Sequence, residues 1–250
     1  KIACNRFTCT AKNCEFYNDC AFFKARKRIT KADVIVANHD LILADLSTGN
    51  TILPDVDESI YIFDEAHHLN HKALSHFSLS AGTEFIKTSI RQTQGVSDQV
   101  CKLTQQDTLD IPIKSIDDYL NDLIQLLKNL DFDEDTYLFD QGIVDEPIQA
   151  ICQNLRTTIS GVHTQFSTLK ESWSDYLKIK MIDKTIADPL NNALGECEQH
   201  LSSILLLLSS FLQVDEAGQA PHSRWVEKTI LANKKTNYIL SSAQIDISND

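Results

Sequence analysis

The sequence has few glycines and prolines, with 7 Gly and 5 Pro among 250 residues. This scarcity argues against an all-β sandwich, which needs frequent turns, and favours long helices. The longest uncharged apolar stretch, residues 201–214, is interrupted by four serines. It is also shorter than the roughly 20 residues of a membrane-spanning helix. We interpret this stretch as a buried helix and expect no membrane partner.

The sequence also lacks an amino-terminal apolar segment followed by small residues, which is the pattern of a secretory signal. We therefore expect a cytoplasmic protein. The chain begins at Lys1 and stops at Asp250, soon after an apolar run. This pattern predicts that both ends are internal to a longer protein.

The charge is acidic overall but unevenly distributed. A net charge of -12 argues by itself against a nucleic-acid partner. Residues 1–40, however, hold eight Lys and Arg against four acidic residues, while residues 94–146 hold 13 acidic residues and three Lys. The average therefore hides a basic amino-terminal segment. The overall composition, 42% hydrophobic and 23% charged, is typical of globular domains.

The first third of the chain predicts α/β structure. A β-branched run at residues 32–39 and an apolar run at residues 59–63 are each typical of a buried strand. Residues 40–46 between them predict a short helix, and Thr48-Gly49-Asn50 predicts a turn. Two apolar strands separated by a crossover favour parallel pairing.

The remainder predicts a helical insert followed by strands. The helical part begins at about Ser75. Within it, apolar side chains recur at helical spacing in residues 113–130, 147–180 and 185–214. Residues 225–231 and 237–247 alternate like two strands. The predicted fold class is mixed α/β and mainly helical.

The seven cysteines fall into two groups. Cys101, Cys152 and Cys197 are scattered through helical sequence, so we expect small core residues there. The other group is a cluster with a C-x4-C-x4-C-x5-C spacing that lacks the CxxC pairs of common zinc modules. This irregular spacing favours an iron–sulfur cluster, with zinc or no metal as alternatives. The clustered cysteines are Cys4, Cys9, Cys14 and Cys20.

Two adjacent acids, Asp64 and Glu65, directly follow the second predicted strand. In open α/β sheets this edge binds ligands, and paired carboxylates there can hold Mg²⁺ and activate water for nucleotide hydrolysis. One alternative is that both acids cap the following helix. Another is a metal site formed by His67 and His71, with His68 alongside, although the pattern lacks the HExxH order of zinc hydrolases.

Other polar residues near this edge can be explained without a catalytic role. We expect His68, His71 and His76 to be solvated surface residues. Asn38-His39, at the end of the first predicted strand, either faces the same ligand edge or caps the following helix.

The basic segment carries interleaved aromatic rings, which suit the backbone and bases of single-stranded nucleic acid. The alternative is a solvated helix face over an apolar core. The candidate DNA-binding residues are Phe22, Lys24, Arg26, Lys27 and Arg28.

In motif order and spacing the chain resembles the iron–sulfur superfamily 2 DNA helicases, in the DinG/YoaA branch of the XPD-like group. The resemblance begins with Cys9-x4-Cys14-x5-Cys20 followed by Phe23-Lys24-Ala25-Arg26. It continues through residues 32–39 to Phe63-Asp64-Glu65-Ala66-His67, which matches the DEAH box. The helical middle resembles the family's Arch insertion, and residues 239–247 resemble the strand that returns to the first motor domain.

The resemblance implies a role for each matching residue. Asp64 would hold the Mg²⁺ of ATP, Glu65 would be the catalytic base, and His67 would couple the nucleotide site to other motifs. Cys9, Cys14 and Cys20 would bind a 4Fe–4S cluster, with Cys4 as a candidate fourth ligand.

The resemblance also implies a division of the chain into four parts. Residues 1–31 would form the Fe–S segment, and residues 32–74 would form part of the first RecA-like P-loop NTPase domain with the DEAH box. Residues 75–222 would be the Arch domain, and residues 223–250 would return to the first helicase domain.

The implied activity is that of a monomeric, ATP-dependent 5′-to-3′ DNA helicase. Such a protein would translocate on single-stranded DNA, unwind forked or R-loop DNA in repair and replication, and associate with the nucleoid. No GxxxxGK[ST] loop occurs in this sequence, so we expect no ATP hydrolysis by these 250 residues alone. The alternatives are a non-enzymatic Fe–S or zinc module that binds DNA or protein, and an Fe–S redox sensor.

Overall fold

The computed structural model describes residues 14, 16–47, 52–180, 182–214 and 222–244. It divides into two compact units, Lys1–Ser78 and Leu79–Asp250. The first unit contains α1 (Ala21–Ile29), α2 (His39–Ser47) and α3 (Leu69–Phe77), with 3₁₀ turns at Val56–Glu58 and Ala66–His68. The helix predicted over residues 40–46 is confirmed as α2, whereas the turn predicted at residues 48–50 lies outside the described residues.

Polar contacts join α2 to α3 and to the loop that follows α2. Lys72 donates to both carboxylate oxygens of Asp40, at 2.7 and 2.9 Å. This hydrogen bond is the main cause that lowers the pKa of Asp40. The buried carboxylate of Asp45 accepts from the backbone amides of Ile52 and Leu53. These bonds hold the segment that leads toward the candidate site.

The two strand predictions in this unit are wrong. Residues 34–38 and 59–63 have no regular secondary structure, and among the described residues of the first unit no strand pairs with either segment. Val36 and Ile62 are 96% and 90% exposed, where the prediction had them buried. A strand is stabilised by its hydrogen-bonded neighbours and by the face it covers, so an apolar run alone does not form one. The RecA-like parallel sheet is therefore not confirmed, because neither of its two predicted strands is present among the described residues.

Four long helices dominate the second unit. They are α4 (Thr83–Thr104), α5 (Ile113–Lys128), α6 (Glu146–Ile179) and α7 (Lys184–Leu212). The last three confirm the helices predicted at residues 113–130, 147–180 and 185–214. Leu123, Leu155 and Leu201 are fully buried in the common core, because apolar residues at helical spacing give each helix one apolar face. Among the described helices, none combines the length and apolarity needed to cross a membrane.

A four-stranded antiparallel sheet completes the second unit. Its strands are β1 (Leu79–Gly82), β2 (Thr136–Leu138), β3 (His222–Ile230) and β4 (Thr236–Gln244), in the spatial order β1-β4-β3-β2. The last two confirm the strands predicted at the end of the chain, although residues 245–247 lie outside the described part. The fold is therefore mainly helical with a small β component, as predicted.

The long helical segment starts after β1 and finishes before β3, two strands of this sheet that are separated by β4. Gly82, the last residue of β1, pairs with Ile239 of β4. Two residues earlier along β4, the Asn237 side chain accepts from the backbone amide of Glu84 at 3.0 Å and from the hydroxyl of Thr83 at 3.1 Å. Asn237 thus satisfies an amide that the first turn of α4 leaves without a helical partner.

The scattered cysteines lie in the core, as predicted. Cys101, Cys152 and Cys197 are each at most 1% exposed. Burial raises the pKa of the Cys152 thiol to about 12 and that of Cys197 to about 11. These thiols stay protonated near neutral pH, so they are packing residues and not nucleophiles.

Candidate functional site

The predicted catalytic acids lie on a tight, exposed turn. The backbone amide of Glu65 donates to Oδ1 of Asp64 at 3.0 Å, and the amide of His68 donates to the carbonyl of Glu65 at 3.0 Å. Glu65 adopts a left-handed conformation, with φ 50° and ψ 42°. Such a conformation is uncommon for a residue other than glycine. The turn places both carboxyl groups in solvent at the end of the apolar segment 59–63.

The same turn brings Glu65, His67 and His68 together. Oε2 of Glu65 lies 3.3 Å from Nδ1 of His67, and the rings of His67 and His68 have centroids 3.9 Å apart. One ligand atom from each of the three residues lies within 4.8 Å of the others. His68 is exposed, as predicted, but its approach to the acidic residue was not foreseen. The conformation of the turn brings His68 close to Glu65.

The other histidines of this segment have different surroundings. Nε2 of His76 lies 3.7 Å from Oδ1 of Asp40, so His76 belongs to the contact between α2 and α3. The side chain of His71 is not among those described, so the proposed pairing of His67 with His71 stays a prediction.

The two adjacent carboxylates fit a magnesium ion chemically. Mg²⁺ prefers hard oxygen ligands and keeps several waters, so it is bound through one or two exposed carboxylates. Asp64 uses Oδ1 for a backbone amide, which orients its carboxylate and leaves Oδ2 for a cation. Glu65 holds a second carboxylate beside it, oriented by His67. The donor set is therefore suitable for a cation that carries phosphate ligands.

Asn38 confirms the capping interpretation of this position, whereas a role of Asn38-His39 at a ligand edge stays a prediction. Oδ1 of Asn38 accepts from the backbone amide of Leu41 at 2.9 Å, so Asn38 caps α2. The ring of His39 lies 6.0 Å from that of Phe63, the residue just before Asp64. The structure therefore brings the end of segment 32–39 close to the end of segment 59–63 even though neither forms a strand.

Two of the four clustered cysteines can be described. Cys14 and Cys20 are half-buried free thiols. The carbonyl of Cys14 accepts from the amide of Tyr17 at 3.0 Å, and the carbonyl of Cys20 accepts from the amide of Lys24 at 2.9 Å. Cys20 is thus the N-cap residue that precedes α1, and Cys14 begins the preceding turn. Cys4 and Cys9 lie outside the described residues, so the metal-binding set stays a prediction.

The helix α1 presents the predicted basic face to solvent. Phe22 is 62% exposed, and every other α1 side chain is exposed or half-buried. Lys24 forms an ion pair with Asp19 at 3.0 Å, while the ammonium of Lys27 lies 5.2 Å from the centroid of the Tyr17 ring. Arg26 and Arg28 share the last turn, where cations are favoured by the helix dipole. Cations and aromatic rings therefore occupy one short, accessible helix.

Comparison with known proteins places these features in a family context. Residues 4–85 match the DEAD_2 family model. The DinG protein of Escherichia coli K12, described as an ATP-dependent DNA helicase, is 36% identical over 81 residues, or 32% of this chain and 11% of that protein.

The similarity to DinG proteins extends along most of the chain. The ATP-dependent DNA helicase DinG of Photobacterium profundum is 25% identical over 240 residues. That of Salmonella choleraesuis is 26% identical over 250 residues. Each alignment covers 92% of this chain and 34% of the relative, so the chain spans about a third of the length of these curated relatives. The resemblance that the motifs indicated is thus confirmed: this chain is similar to one continuous part of the DinG helicases.

Proposed function

We propose that this chain is part of an ATP-dependent DNA helicase in which Asp64 and Glu65 act on the nucleotide. The observation that supports this most strongly is the exposed carboxylate pair on its ordered turn, within the segment that matches the DEAD_2 model. The names of the relatives describe the same activity for those proteins.

Asp64, Glu65 and His67 have distinct parts in the proposed mechanism. Mg²⁺, when bound with ATP, neutralises charge on the phosphates. Asp64 would hold that cation. Glu65 accepts the proton of the attacking water, as a positioned general base. Nδ1 of His67, 3.3 Å from the Glu65 carboxylate, orients this base.

The phosphate-binding loop has to come from residues outside this sequence, since no GxxxxGK[ST] occurs here. We therefore expect the 250-residue chain alone to lack ATPase activity. The helicase activity belongs to the longer protein that carries this chain.

Strand displacement by the longer protein tests the proposed function. With ATP and Mg²⁺, it should unwind a duplex with a 5′ single-stranded tail and leave the matched 3′-tailed duplex intact. Forked and R-loop substrates with a free 5′ strand should also be unwound, and a monomer should suffice. Absence of ATP-dependent strand displacement on all of these substrates would overturn the helicase assignment, and equal activity on both tails would overturn the direction.

The basic face of α1 is proposed to contact single-stranded DNA. Stacking of a base on an exposed aromatic side chain contributes about 1–3 kcal/mol, and cations add a salt-dependent term. Phe22→Ala should therefore weaken binding of labelled single-stranded DNA about 5- to 150-fold by fluorescence anisotropy. Arg28→Ala should weaken it and reduce its salt dependence, whereas Lys102→Ala, an exposed cation on α4, should have no effect. Equal effects of all three substitutions would contradict this interface.

The cysteine segment is proposed to hold a 4Fe–4S cluster through Cys9, Cys14 and Cys20, with Cys4 as a candidate fourth ligand. Thiolates bind such clusters from loops, and Cys14 and Cys20 both flank a turn and are partly accessible. An anaerobic preparation of the longer protein should be brown and lose its colour in Cys14→Ser. The core variant Cys152→Ser should keep it. A colourless anaerobic protein that contains zinc would overturn the cluster.

A binding module without enzymatic activity is the second candidate function. The exposed cations and rings of α1 favour it, since they suffice for DNA binding without nucleotide. DNA binding that is unaffected by ATP in the longer protein, with no hydrolysis, would support this alternative. Reversible bleaching of a cluster with retained fold would instead support a redox sensor. For the helicase, we expect a cytoplasmic location with nucleoid association.

A further inference from the structure

The turn at residues 65–68 holds a second set of ligands, two of which are of a type that Mg²⁺ does not favour. It consists of one carboxylate, from Glu65, and two imidazoles, from His67 and His68, with one ligand atom of each within 4.8 Å of the others. Imidazole nitrogen suits borderline ions such as Zn²⁺, whereas Mg²⁺ prefers carboxylate, phosphate and water oxygens. The two sets share only the Glu65 carboxylate.

The observed spacing fits a tetrahedral ion. Zinc binds imidazole nitrogen and carboxylate oxygen at about 2.0–2.2 Å, so two ligands of one tetrahedral ion lie roughly 3.3–3.5 Å apart. Oε2 of Glu65 and Nδ1 of His67 are already 3.3 Å apart. The side chain of His68 is exposed and can rotate within the remaining distance. Three protein ligands and one water complete the coordination of an accessible zinc ion.

The backbone supports this arrangement. The left-handed conformation of Glu65 and the hydrogen bond from the His68 amide to the Glu65 carbonyl hold the three residues on one closed turn. Little chain entropy is then lost when the ion binds.

We infer that Glu65, His67 and His68 form a binding site for a divalent transition-metal ion such as Zn²⁺, and that the ion occupies the carboxylate needed for catalysis. The metal site stands on the geometry of the turn alone. Its consequence, inhibition of ATP hydrolysis, rests on the proposed function of Glu65.

Zinc stoichiometry tests the site itself, without nucleotide or DNA. The 250-residue chain is dialysed against Zn²⁺ in excess Mg²⁺, and bound zinc is counted for the unchanged chain and three variants. His67→Ala and His68→Ala should each bind one equivalent of zinc less than the unchanged chain. This loss corresponds to an affinity for zinc at least about 100-fold weaker, because removal of a direct ligand costs more than the 10- to 100-fold lost with an outer-shell partner. His76→Ala, a histidine outside the trio, should keep it. Because zinc at the cysteines is common to all four proteins, it cancels in the comparison.

Two results would overturn the site: equal stoichiometry in all four proteins, or the same loss in His76→Ala as in the other two variants. A measurement on the unchanged chain keeps the test independent of folding in the variants. Zn²⁺ should protect His67 and His68, but not His76, from diethyl pyrocarbonate, as mapped by mass spectrometry. Equal modification of His67 and His68 with and without Zn²⁺ would also overturn it.

ATP hydrolysis by the longer protein tests the consequence. Zn²⁺ should inhibit it in the presence of excess Mg²⁺, and His68→Ala should keep the basal rate but resist zinc. Zinc binding at the trio without inhibition would overturn the role of Glu65 as base and leave the metal site intact. The two failures are therefore distinguishable.

Discussion

The buried side chain of Arg224 gives the sharpest stability prediction for the second unit. This residue of β3 is 2% exposed, and its guanidinium donates to three backbone carbonyls. Two of them belong to the end of α7, Ser210 at 2.7 Å and Gln213 at 3.0 Å. The third is Gly142, at 2.6 Å, in the turn before α6. One cation thus ties the strand to the carboxyl end of a helix and to a connecting turn.

The expected cost of Arg224→Met follows from these bonds. Hydrogen bonds to a charged group contribute about 1.5–3 kcal/mol each, and three carbonyls lose their donor. Burial of the methionine side chain offsets about 1–3 kcal/mol of this loss. These figures leave a net decrease of about 1.5–8 kcal/mol in the free energy of unfolding, and we expect a value in the middle of this range, about 3–5 kcal/mol. In a unit of this size, that lowers Tm by roughly 6–20 °C.

Urea and thermal unfolding followed by circular dichroism measure this effect. Arg91→Met is the matched control, because Arg91 is 47% exposed and forms only a surface ion pair with Asp117. Such pairs contribute about 0–1 kcal/mol. If Arg224→Met destabilised the chain no more than Arg91→Met, the reasoning about the buried guanidinium would be refuted.

Two further predictions concern the same unit. Asn237→Ala should reduce the free energy of unfolding of the second unit by about 1–2 kcal/mol, because the first turn of α4 loses the acceptor for one of its amides. The control Asn154→Ala, on an exposed face of α6, should leave this free energy almost unchanged in the same urea titration. The buried thiols of Cys152 and Cys197 have pKa values of about 12 and 11, above the ordinary 9.0, so the unfolded chain releases these protons first. The urea midpoint should therefore fall as pH rises above 9 toward 12, and a chain with both cysteines replaced by alanine should lose part of that pH dependence. Equal pH dependence in the two proteins would contradict the raised pKa values of these thiols.

Sequence periodicity predicted the long helices well, because one apolar stripe suffices to define each of α5, α6 and α7. It missed the bounds of α4, whose buried face includes Thr93 and Ser97. Their hydroxyls donate to carbonyls one turn earlier, Ser89 and Thr93, so polar residues occupy core positions without an unmet hydrogen bond. A pattern of hydrophobicity alone does not distinguish such positions from a surface.

The strands show the opposite limitation. β1 has only four residues and β2 only three, too few for a period to be recognised. They form because distant strands pair with them, as Leu79 does with Ser242. The strongly apolar segments 32–39 and 59–63 were predicted as strands yet do not pair within the described residues. Strand formation depends on partners that local sequence does not contain.

The candidate site was predictable in position but not in shape. The order of an apolar run followed by Asp64 and Glu65 indicated paired carboxylates, and the structure presents both on one turn. The left-handed Glu65, and with it the approach of His68, could not be predicted because few residues other than glycine adopt positive φ. The metal-binding inference therefore depends on the structure.

The central claim is that Glu65 is the base of a DNA-stimulated ATPase, and a rate measurement on the longer protein tests it most directly. Glu65→Gln should bind ATP and single-stranded DNA normally but hydrolyse ATP about 10²–10⁴-fold more slowly. Glu58→Gln, an exposed acid on the preceding 3₁₀ turn, should hydrolyse at the unchanged rate. DNA-stimulated hydrolysis by Glu65→Gln at the rate of the unchanged protein would contradict the account.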